Sequence, residues 1–469
     1  MPDQSSTFRY KTIAAAIRRL IEEGGSRGRI KLPSVRRLAR DYGVSPTTAL
    51  QALRMLESER LVESTPRSGY FTIEPIGQTS SIDKMGQAGS KMLLDGAGGL
   101  SAAVLRVSGR FELDMANGAP EFYPAQKLGV LMRQIIHRNP QLLSHHARGT
   151  GYEPLKAQII NRGLEYGSKI RSDELLITSG CIESLDLALR ATTAPGDTVV
   201  IQSPTYYLAL QMLKQMHLNI IEIPTTENGI DISYLEMIIR REPVKAGLFT
   251  ANFNNPTGKT FSEKVKFDLV KLFQHNNIPL IEDDIYGDVH FDRARPRPLR
   301  AYSDSVILCS SFSKTLAPGL RVGWVAGAQW FERIASRKSL TSKFTALYPQ
   351  AVIAEFIRSG GYDNHLRKLR EKMLFNVRSM GAAILESFPQ GTSVSAPTGG
   401  FVLWIGLPLG CAESQTVFER AASEGIGIAP GGLFSLDGSF STYIRLNAGV
   451  GWTPETNLVI KRLASLVLA

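Results

Sequence analysis

The chain contains no run of apolar residues close to the roughly twenty that a membrane-spanning helix needs. Residues 1–9 are polar and do not form the charged-then-apolar leader that is typical of a secreted protein. We therefore expect neither a membrane span nor a signal peptide, and we predict a soluble, cytoplasmic protein without a membrane partner.

Cysteine is scarce, and the three residues Cys181, Cys309 and Cys411 lie far apart in the sequence. This spacing argues against a disulfide framework and a cysteine-based zinc site, and it fits a reducing compartment. His145 and His146 are adjacent, and no spacing of histidine, cysteine and carboxylate side chains predicts a metal site. No internal repeat is present either.

The chain does have length and positive charge. Its 469 residues, with 43% hydrophobic residues, are enough for two or three packed units. The net charge is +11, and residues 1–75 carry 13 lysines and arginines against 8 aspartates and glutamates. Because nearly half of the excess lies in about a sixth of the chain, we expect a nucleic-acid partner for this segment.

The basic segment has the pattern of three helices and a hairpin. Apolar spacing predicts a helix over residues 8–23 and a second over residues 34–40, and Ser45 is a favourable N-cap for a third. Residues 61–64 and 70–73 flank a turn and predict a two-stranded hairpin. Two short helices joined through a glycine, followed by a hairpin, predict a winged helix-turn-helix.

A set of positions in this segment follows a known motif. They are Leu32-Pro33-Ser34, Arg36, Leu38-Ala39, Gly43-Val44-Ser45, Thr48, Leu53, Leu56, Leu61-Val62 and Ser68-Gly69. On these residues the segment resembles the GntR family of winged-helix DNA-binding domains over residues 9–74. The resemblance implies double-stranded operator DNA as the partner, with the third helix in the major groove. The contacts that it implies are Arg36, Ser45, Thr47, Thr48 and Gly69.

Two positions add to this interpretation or depart from it. Arg67 at the tip of the wing is a candidate phosphate contact because of its charge. Pro46 and Gln51 stand where family members often have arginine, so guanine contacts from these positions are not expected, and Gln51 would favour adenine. A three-helix module that contacts protein and not DNA stays open as an alternative.

Residues 76–110 are rich in Gly, Ser, Gln and Ala, which predicts a flexible linker between domains over residues 1–75 and 111–469. Beyond the linker, helices alternate with short β-rich segments. These segments are residues 174–178, 198–201, 220–223, 247–250, 279–283 and 305–309. The alternation predicts an α/β fold with a mostly parallel sheet covered by helices on both faces.

Polar residues follow these strands, at the edge where open α/β sheets bind ligands. The motifs are Ser179-Gly180-Cys181, Ser203-Pro204-Thr205-Tyr206, Asn254-Asn255-Pro256-Thr257-Gly258, Asp283-Asp284-Ile285-Tyr286 and Ser311-Phe312-Ser313-Lys314, with Arg321 one loop later. Lys314 is a candidate Schiff-base nucleophile, and a helix that begins at Cys181 offers free amides to a phosphate.

In this order, and with Tyr443-Ile444-Arg445-Leu446-Asn447 near the end, the motifs resemble fold-type I pyridoxal-phosphate enzymes, the aspartate-aminotransferase superfamily, over residues 112–469. The resemblance implies pyridoxal 5'-phosphate as the cofactor, attached to Lys314. Asp283 would pair with the pyridine nitrogen, Asn255 and Tyr286 would bind the phenolic oxygen, and Tyr206 would stack on the ring. The implied phosphate ligands are Ser179, Gly180, Cys181, Ser311 and Arg321. Arg445 would bind a substrate or effector carboxylate.

Each role has a structural alternative. Asp283 is also suited to capping a helix, Asn255 to a turn, and Tyr206 and Tyr286 to the core, while Arg445 is also suited to an ion pair within a strand. The resemblance further implies a small α+β subdomain over about residues 340–469. It places His146 where the family usually has a tyrosine that crosses the dimer interface, so this interface contact stays in doubt.

A GntR-type domain joined to an aminotransferase-like domain resembles the MocR subfamily of bacterial transcriptional regulators. This resemblance implies a homodimer, possible domain swapping, and a regulator that senses an amino compound or a vitamin B6 form. Two alternatives stay open at this point. One is an active aminotransferase that acts on an amino acid and a 2-oxo acid, and the other is a regulator whose large domain serves only for dimerisation.

Overall fold

The computed structural model describes residues 10, 12–18, 32–58, 62–65, 69–72, 111–144 and 149–468. The predicted linker, Arg67 and His146 lie outside these residues. The chain divides into two compact units, residues 1–92 and 93–469, and the predicted domain limits stay predictions. Among the helices that the structure describes, none is both long and apolar enough to cross a membrane.

The N-terminal unit contains the elements that the sequence predicts. Helix α1 covers residues 12–18, α2 is Val35–Asp41 and α3 is Pro46–Ser58, and strands β1 (Val62–Thr65) and β2 (Gly69–Thr72) form an antiparallel hairpin. This is a helix-turn-helix followed by a wing.

Capping and a small core explain why these elements form. Ser34 Oγ accepts a hydrogen bond from Arg37 N at 3.3 Å, and Ser45 Oγ accepts one from Thr48 N at 3.1 Å, so both helices begin at the predicted N-caps. Leu53 on α3 is fully buried against residues of the other two helices and of the wing. Burial of a leucine of this kind contributes about 1.5–3 kcal/mol.

The second unit is built on an eight-stranded sheet. After β3 (Phe111–Glu112), its strands are β4 (Leu175–Thr178), β5 (Thr198–Ser203), β6 (Asn219–Thr226), β7 (Gly229–Ile230), β8 (Val244–Phe249), β9 (Leu280–Asp283), β10 (Ile307–Ser311) and β11 (Gly323–Ala326). Their order is β4-β11-β10-β9-β8-β5-β6-β7. Strands β10, β9, β8, β5 and β6 run parallel, whereas β11 is antiparallel to both of its neighbours. The six predicted strands are present, and the mostly parallel sheet is confirmed.

The second unit has helices on both faces of this sheet and further helices in its C-terminal part. They are α4 (Ala125–Arg138), α5 (Gln141–Ser144), α6 (Glu153–Glu165), α7 (Cys181–Thr192), α8 (Tyr207–Gln215), α9 (Ile232–Arg241), α10 (Glu263–His275), α11 (Phe331–Leu340), α12 (Leu347–Arg358), α13 (Gly361–Ser387), α14 (Ser414–Ser423) and α15 (Pro454–Leu466). In β4, Leu175 and Ile177 pack in the cluster that includes α6 and α12, while Leu176 packs in the cluster that includes α7. Apolar residues therefore point to both sides, as a doubly covered sheet requires.

A smaller antiparallel sheet lies in the C-terminal part of this unit. It is formed by β12 (Ser393–Val394), β13 (Val402–Gly406), β15 (Ala429–Pro430) and β16 (Tyr443–Asn447), in the order β12-β13-β16-β15. A further strand, β14 (Ile426–Gly427), pairs in parallel with β3. This pairing joins the segment that starts at Phe111 to the C-terminal part, next to the strand that carries Arg445.

Candidate functional site

A cavity of about 250 Å³ lies at the carboxyl ends of the parallel strands. Its wall contains eight of the predicted ligand-site residues: Cys181, Tyr206, Asn255, Asp283, Tyr286, Lys314, Arg321 and Arg445. Ser179, Gly180 and Ser311 do not line this cavity. The fold thus brings strand ends that are far apart in sequence to one cavity, and the particular role of each residue stays a prediction.

Lys314 follows β10 and extends into the cavity. Its Nζ donates hydrogen bonds to Ala116 O at 2.6 Å and to Asn117 Oδ1 at 2.7 Å. Burial lowers the pKa of Lys314 to about 8, with repulsion from Arg445 as the next cause, while the charge of Asp283 opposes the shift. A larger share of neutral amine near pH 7 makes this lysine a better nucleophile.

Asp283 is the last residue of β9. Its Oδ1 accepts hydrogen bonds from Ile285 N at 3.2 Å and from Cys181 Sγ at 3.3 Å. Burial raises the pKa of Asp283 to about 6, although both hydrogen bonds oppose the shift. Cys181 was predicted to offer only its amide, and the structure adds a contact of its thiol with the carboxylate.

The start of α7 has the form of an anion site. Gly180 has a φ of +124°, and a Cβ atom there would lie 2.7 Å from Arg321 Nη2. The Arg321 guanidinium therefore lies directly against the glycine that precedes the free amides of α7, which is a favourable place for a phosphate. Gly323 allows this approach, since its own Cβ would lie 2.6 Å from Gly180 C.

The two serines predicted as phosphate ligands make other contacts. Ser179 N donates to Glu183 Oε2 at 2.5 Å. Ser311 Oγ lies 2.8 Å from Ser313 Oγ and 3.1 Å from Val322 O. Ser313 lines the cavity and Ser311 does not, so Ser313 is the serine of this loop that a ligand in the cavity could contact. The sequence carries a signal for it, since it directly precedes Lys314.

Two buried side chains in the cavity wall have polar atoms without a partner among the described residues. They are Asn255 Oδ1 and the Nε and Nη1 atoms of Arg445, which is fully buried. The third nitrogen of Arg445, Nη2, donates to Asp114 O. An unsatisfied buried polar group costs about 1–3 kcal/mol, so these atoms indicate that a polar ligand binds here.

The aromatic residues frame the cavity. Tyr286 is buried and packs edge-on against Phe401 with ring centroids 5.4 Å apart, and Tyr206 packs in the same way against Tyr207 at 5.1 Å. Burial raises the pKa of both Tyr206 and Tyr286, so both phenols keep their protons at neutral pH. Tyr207 and Asn117 also line the cavity and were missed from the sequence.

In the N-terminal unit, the predicted DNA contacts lie on the surface. Arg36, Ser45, Thr47, Gln51 and Gly69 are exposed, and Thr48 is half-buried. The Ser45 hydroxyl is engaged in capping, because it accepts from Thr48 N and lies 2.9 Å from Thr48 Oγ1. Arg54, which the sequence reading did not select, is exposed on α3 about one turn beyond Gln51.

These two units define a class of protein: a winged-helix domain joined to an aminotransferase-type fold with a lysine in its ligand cavity. Residues 9–72 match the gntR family of bacterial regulatory proteins, and residues 128–462 match aminotransferase class I and II. The chain therefore belongs to the aminotransferase class I and II family and carries a GntR helix-turn-helix domain, which is the MocR architecture. The family prediction is confirmed, and the GntR domain implies binding to DNA.

Relatives match one or both units. An uncharacterized HTH-type transcriptional regulator of Escherichia coli K12, YjiR, is 32% identical over 474 aligned positions, which cover 98% of each chain. Aromatic-amino-acid aminotransferase 1 of Thermococcus litoralis is 28% identical and covers 76% of this chain and 88% of its own. The crystal structure of kynurenine aminotransferase from Pyrococcus horikoshii has a TM-score of 0.72 at 28% identity and covers 78% of this chain and 93% of its own.

Proposed function

We propose that this chain is a transcriptional regulator that binds pyridoxal 5'-phosphate at Lys314 and responds to an amino compound or to a vitamin B6 form. One observation carries the proposal: a chain with a GntR domain also encloses a lysine in a cavity with unsatisfied buried polar atoms. A surface used only for dimerisation has no need for such atoms, because leaving them unpaired costs stability.

The residues of the cavity fit this cofactor. The cradle formed by Gly180 and Arg321 suits its phosphate, and Asn255 and Tyr286, which line the same cavity, suit the phenolic oxygen because an amide N–H and a phenol O–H can both donate to it. Asp283 suits the ring nitrogen, because a carboxylate there keeps that nitrogen protonated. The remaining predicted ligands are Ser179, Cys181 and Ser311 for the phosphate and Tyr206 for the face of the ring.

When bound, the cofactor supplies an electron sink for an attached amine. Lys314 would hold the cofactor through its amine, and that amine, once free, could hold or move a proton in the cavity. Asp283 favours this chemistry. A positive charge on the ring nitrogen would offset the effect of burial and keep the Asp283 carboxylate ionised. Tyr206 and Tyr286 line the cavity, where their rings take up space that water would otherwise fill.

Arg445 is the residue for the effector carboxylate. Its unpartnered Nε and Nη1 lie on either side of Nη2, so either of them can form the planar fork for a carboxylate together with the second proton of Nη2, and complete burial strengthens such a pair. Arg445 Nη2 holds Asp114 O, so the guanidinium is already oriented before a ligand binds. An effector with an amine and a carboxylate would therefore contact the Lys314 region and Arg445 together.

DNA binding completes the proposed activity. The predicted homodimer would present two winged helices to one operator, as two-fold symmetric regulators do. An effector that closes the large unit would change the DNA affinity by a coupling free energy between the two sites. Arg36 and the exposed face of α3 supply the contacts in this proposal.

The test combines a spectrum with a DNA-binding measurement. Pure protein loaded with pyridoxal 5'-phosphate should show the absorbance of the lysine-bound cofactor, and Lys314→Ala should abolish it. The same variant should keep its basal affinity for a fragment of DNA upstream of its own gene. Persistence of the absorbance in Lys314→Ala would show that the lysine assignment is wrong, and loss of DNA binding would show that the two units are not separable in this way.

An active aminotransferase is the second candidate. It is favoured by the presence of Lys314, Asp283 and Arg445 in one cavity, since turnover would need the same residues. A coupled assay with a panel of L-amino acids as donors and 2-oxo acids as acceptors separates the two functions. Rapid turnover together with no footprint on the upstream DNA would contradict the regulator and favour the enzyme.

A further inference from the structure

Lys314 has two partners that the sequence analysis did not assign to the ligand site. Its Nζ donates to Ala116 O at 2.6 Å and to Asn117 Oδ1 at 2.7 Å, and both acceptors belong to the segment just after β3. An ammonium ion has three protons to donate, and two of them are used here. This segment therefore accepts two of the three protons of the reacting nitrogen.

Asn117 is held in place independently of Lys314. Asn447 Nδ2 donates to Asn117 O at 2.8 Å, and Ala119 N donates to Gly449 O at 2.7 Å. Gly449 allows this close approach, since a Cβ there would lie 2.6 Å from Asn117 O. The Asn117 amide is thus fixed by its backbone on β16 and the turn that follows it, and it is presented to the lysine without help from a ligand.

The contact between Lys314 and Asn117 cannot survive unchanged when the lysine reacts. As the amine condenses with an aldehyde, a carbon–nitrogen double bond forms and the carbonyl oxygen leaves as water with two of the three ammonium protons. The nitrogen keeps one proton at most, so at least one of its two hydrogen bonds to this segment is lost. The neutral amine is also the attacking form, and both acceptors favour the charged form.

We propose that Asn117 is a positioning residue for Lys314: with the Ala116 carbonyl, it holds the ligand-free amine as an ammonium ion and releases it when the amine condenses with the cofactor aldehyde. The inference rests on the proposed function, since it needs an aldehyde at Lys314. It assigns a role to a residue that precedes the large sheet in sequence.

Other charged groups also act on this amine and must be separated from Asn117. Arg445 on β16 and Arg321 after β10 favour the neutral form, whereas Asp283 on β9 and the Cys181 thiol on α7 favour the ammonium form. The uncharged phenols of Tyr206 and Tyr286 complete the surroundings in the cavity wall. A change at position 117 leaves all of these in place, so its effect on the pH profile reports the contact with Lys314.

The experiment compares two near-isosteric variants of opposite effect. The rate at which the lysine-bound absorbance forms after addition of pyridoxal 5'-phosphate is measured against pH in the full chain. Asn117→Asp places a carboxylate beside the ammonium ion and should move the midpoint of the curve of rate against pH up by about one to three pH units. Asn117→Leu removes an acceptor and should move it down, so that at pH 7 attachment is at least about tenfold faster in Asn117→Leu than in Asn117→Asp.

A matched control adds the same charge elsewhere. Asn364→Asp changes an exposed residue in the first turn of α13. Asn364 Nδ2 donates to Gly360 O and makes no contact with Lys314, so the midpoint of the pH profile should stay at the wild-type value. If Asn117→Leu does not fold, the pair of aspartate variants decides the question alone. A purely structural role predicts that both position-117 variants slow attachment without moving the midpoint, and that result would overturn the proposal.

Hydrogen exchange supplies a second readout. Loading the wild-type chain should speed backbone amide exchange in peptides that cover residues 113–119 by about fivefold to tenfold, because the segment loses at least one of its contacts with Lys314 and opens more often. Asn117→Leu should exchange fast with or without the cofactor. Unchanged exchange in a loaded wild-type chain would contradict the proposal, whereas the absence of any cofactor absorbance would contradict the proposed function instead.

Discussion

The winged-helix unit and the large unit use their functional residues in opposite ways. In the first, five of the predicted DNA contacts are exposed side chains or backbone, and ten buried apolar residues form the core among the residues that the structure describes. In the second, the ligand cavity contains the fully buried Arg445 and the almost fully buried Asn255, which have unsatisfied atoms. Exposed contacts add small increments to DNA affinity, whereas a buried group acts through one strong interaction. The small core of the first unit also makes its folding the more sensitive of the two.

The largest effect is expected when the small core is broken. Leu53→Ala leaves a cavity in the fully buried centre of the winged-helix unit and should lower its free energy of unfolding by about 2–5 kcal/mol. We expect DNA binding to be lost at 37 °C while the cofactor absorbance remains. Thermal unfolding followed in parallel by far-UV circular dichroism and by cofactor absorbance measures both units.

The control for this variant is Leu458→Ala on α15, where the side chain is 66% exposed. It should change neither transition. If the cofactor absorbance of Leu53→Ala disappears at the lower temperature, the two units unfold together and the comparison between them fails.

Much of the fold follows from the sequence because local signals agree with the tertiary structure. Ser34 and Ser45 are good N-caps, and both cap a helix. The missed strand β11 shows the limit: it has only four residues and begins at Gly323, which weakens a strand signal. A glycine is needed at position 323 because a Cβ there would lie 2.6 Å from the backbone carbon of Gly180. This contact joins positions more than a hundred residues apart, so no local pattern reports it.

The next effect is expected at the buried arginine. Arg445→Lys keeps the charge but loses the planar fork, so the response to an amino-acid effector should weaken by about 10- to 100-fold. The cofactor absorbance should form as in the wild type, because the predicted cofactor contacts are other residues. Titration of the loaded protein with a panel of L-amino acids, followed by the shift of that absorbance, gives the measurement. Equal responses in both proteins would exclude Arg445 as the carboxylate site.

The composition of the cavity was predicted better than its internal contacts. The order of the strand-end motifs identified Asn255, Asp283 and Lys314, because strand ends meet at one edge of a parallel sheet. The partners of Lys314 were missed, since Asn117 lies on an irregular segment whose path depends on hydrogen bonds to Asn447. No periodicity in the sequence reports such a path.

A smaller effect is expected from pH. Because the pKa of Lys314 lies at about 8, the neutral amine increases from a minor to the major form between pH 7 and pH 9. The rate of cofactor attachment should therefore rise by about tenfold over this range and then level off. The sign follows from the lysine being the attacking group: protonation blocks it at low pH. Stopped-flow absorbance on the wild-type chain measures this profile, and a rate that falls as pH rises would contradict Lys314 as the nucleophile.

The smallest effect is expected on the exposed face of the winged helix. Arg36→Ala removes one exposed charge from α2, so affinity for the upstream DNA fragment should fall by about threefold to tenfold at moderate salt, equally for all sequences if the contact is to phosphate. The slope of log affinity against log salt should become shallower by about one unit.

The control is Arg358→Ala on α12, which removes an exposed arginine paired with Glu355 in the large unit. It takes away the same charge and should change neither the affinity nor the slope. An equal loss in the two variants would show that net charge, and not a contact at Arg36, sets the affinity. The contrast between one exposed phosphate contact and one buried carboxylate site would then rest on Arg445 alone.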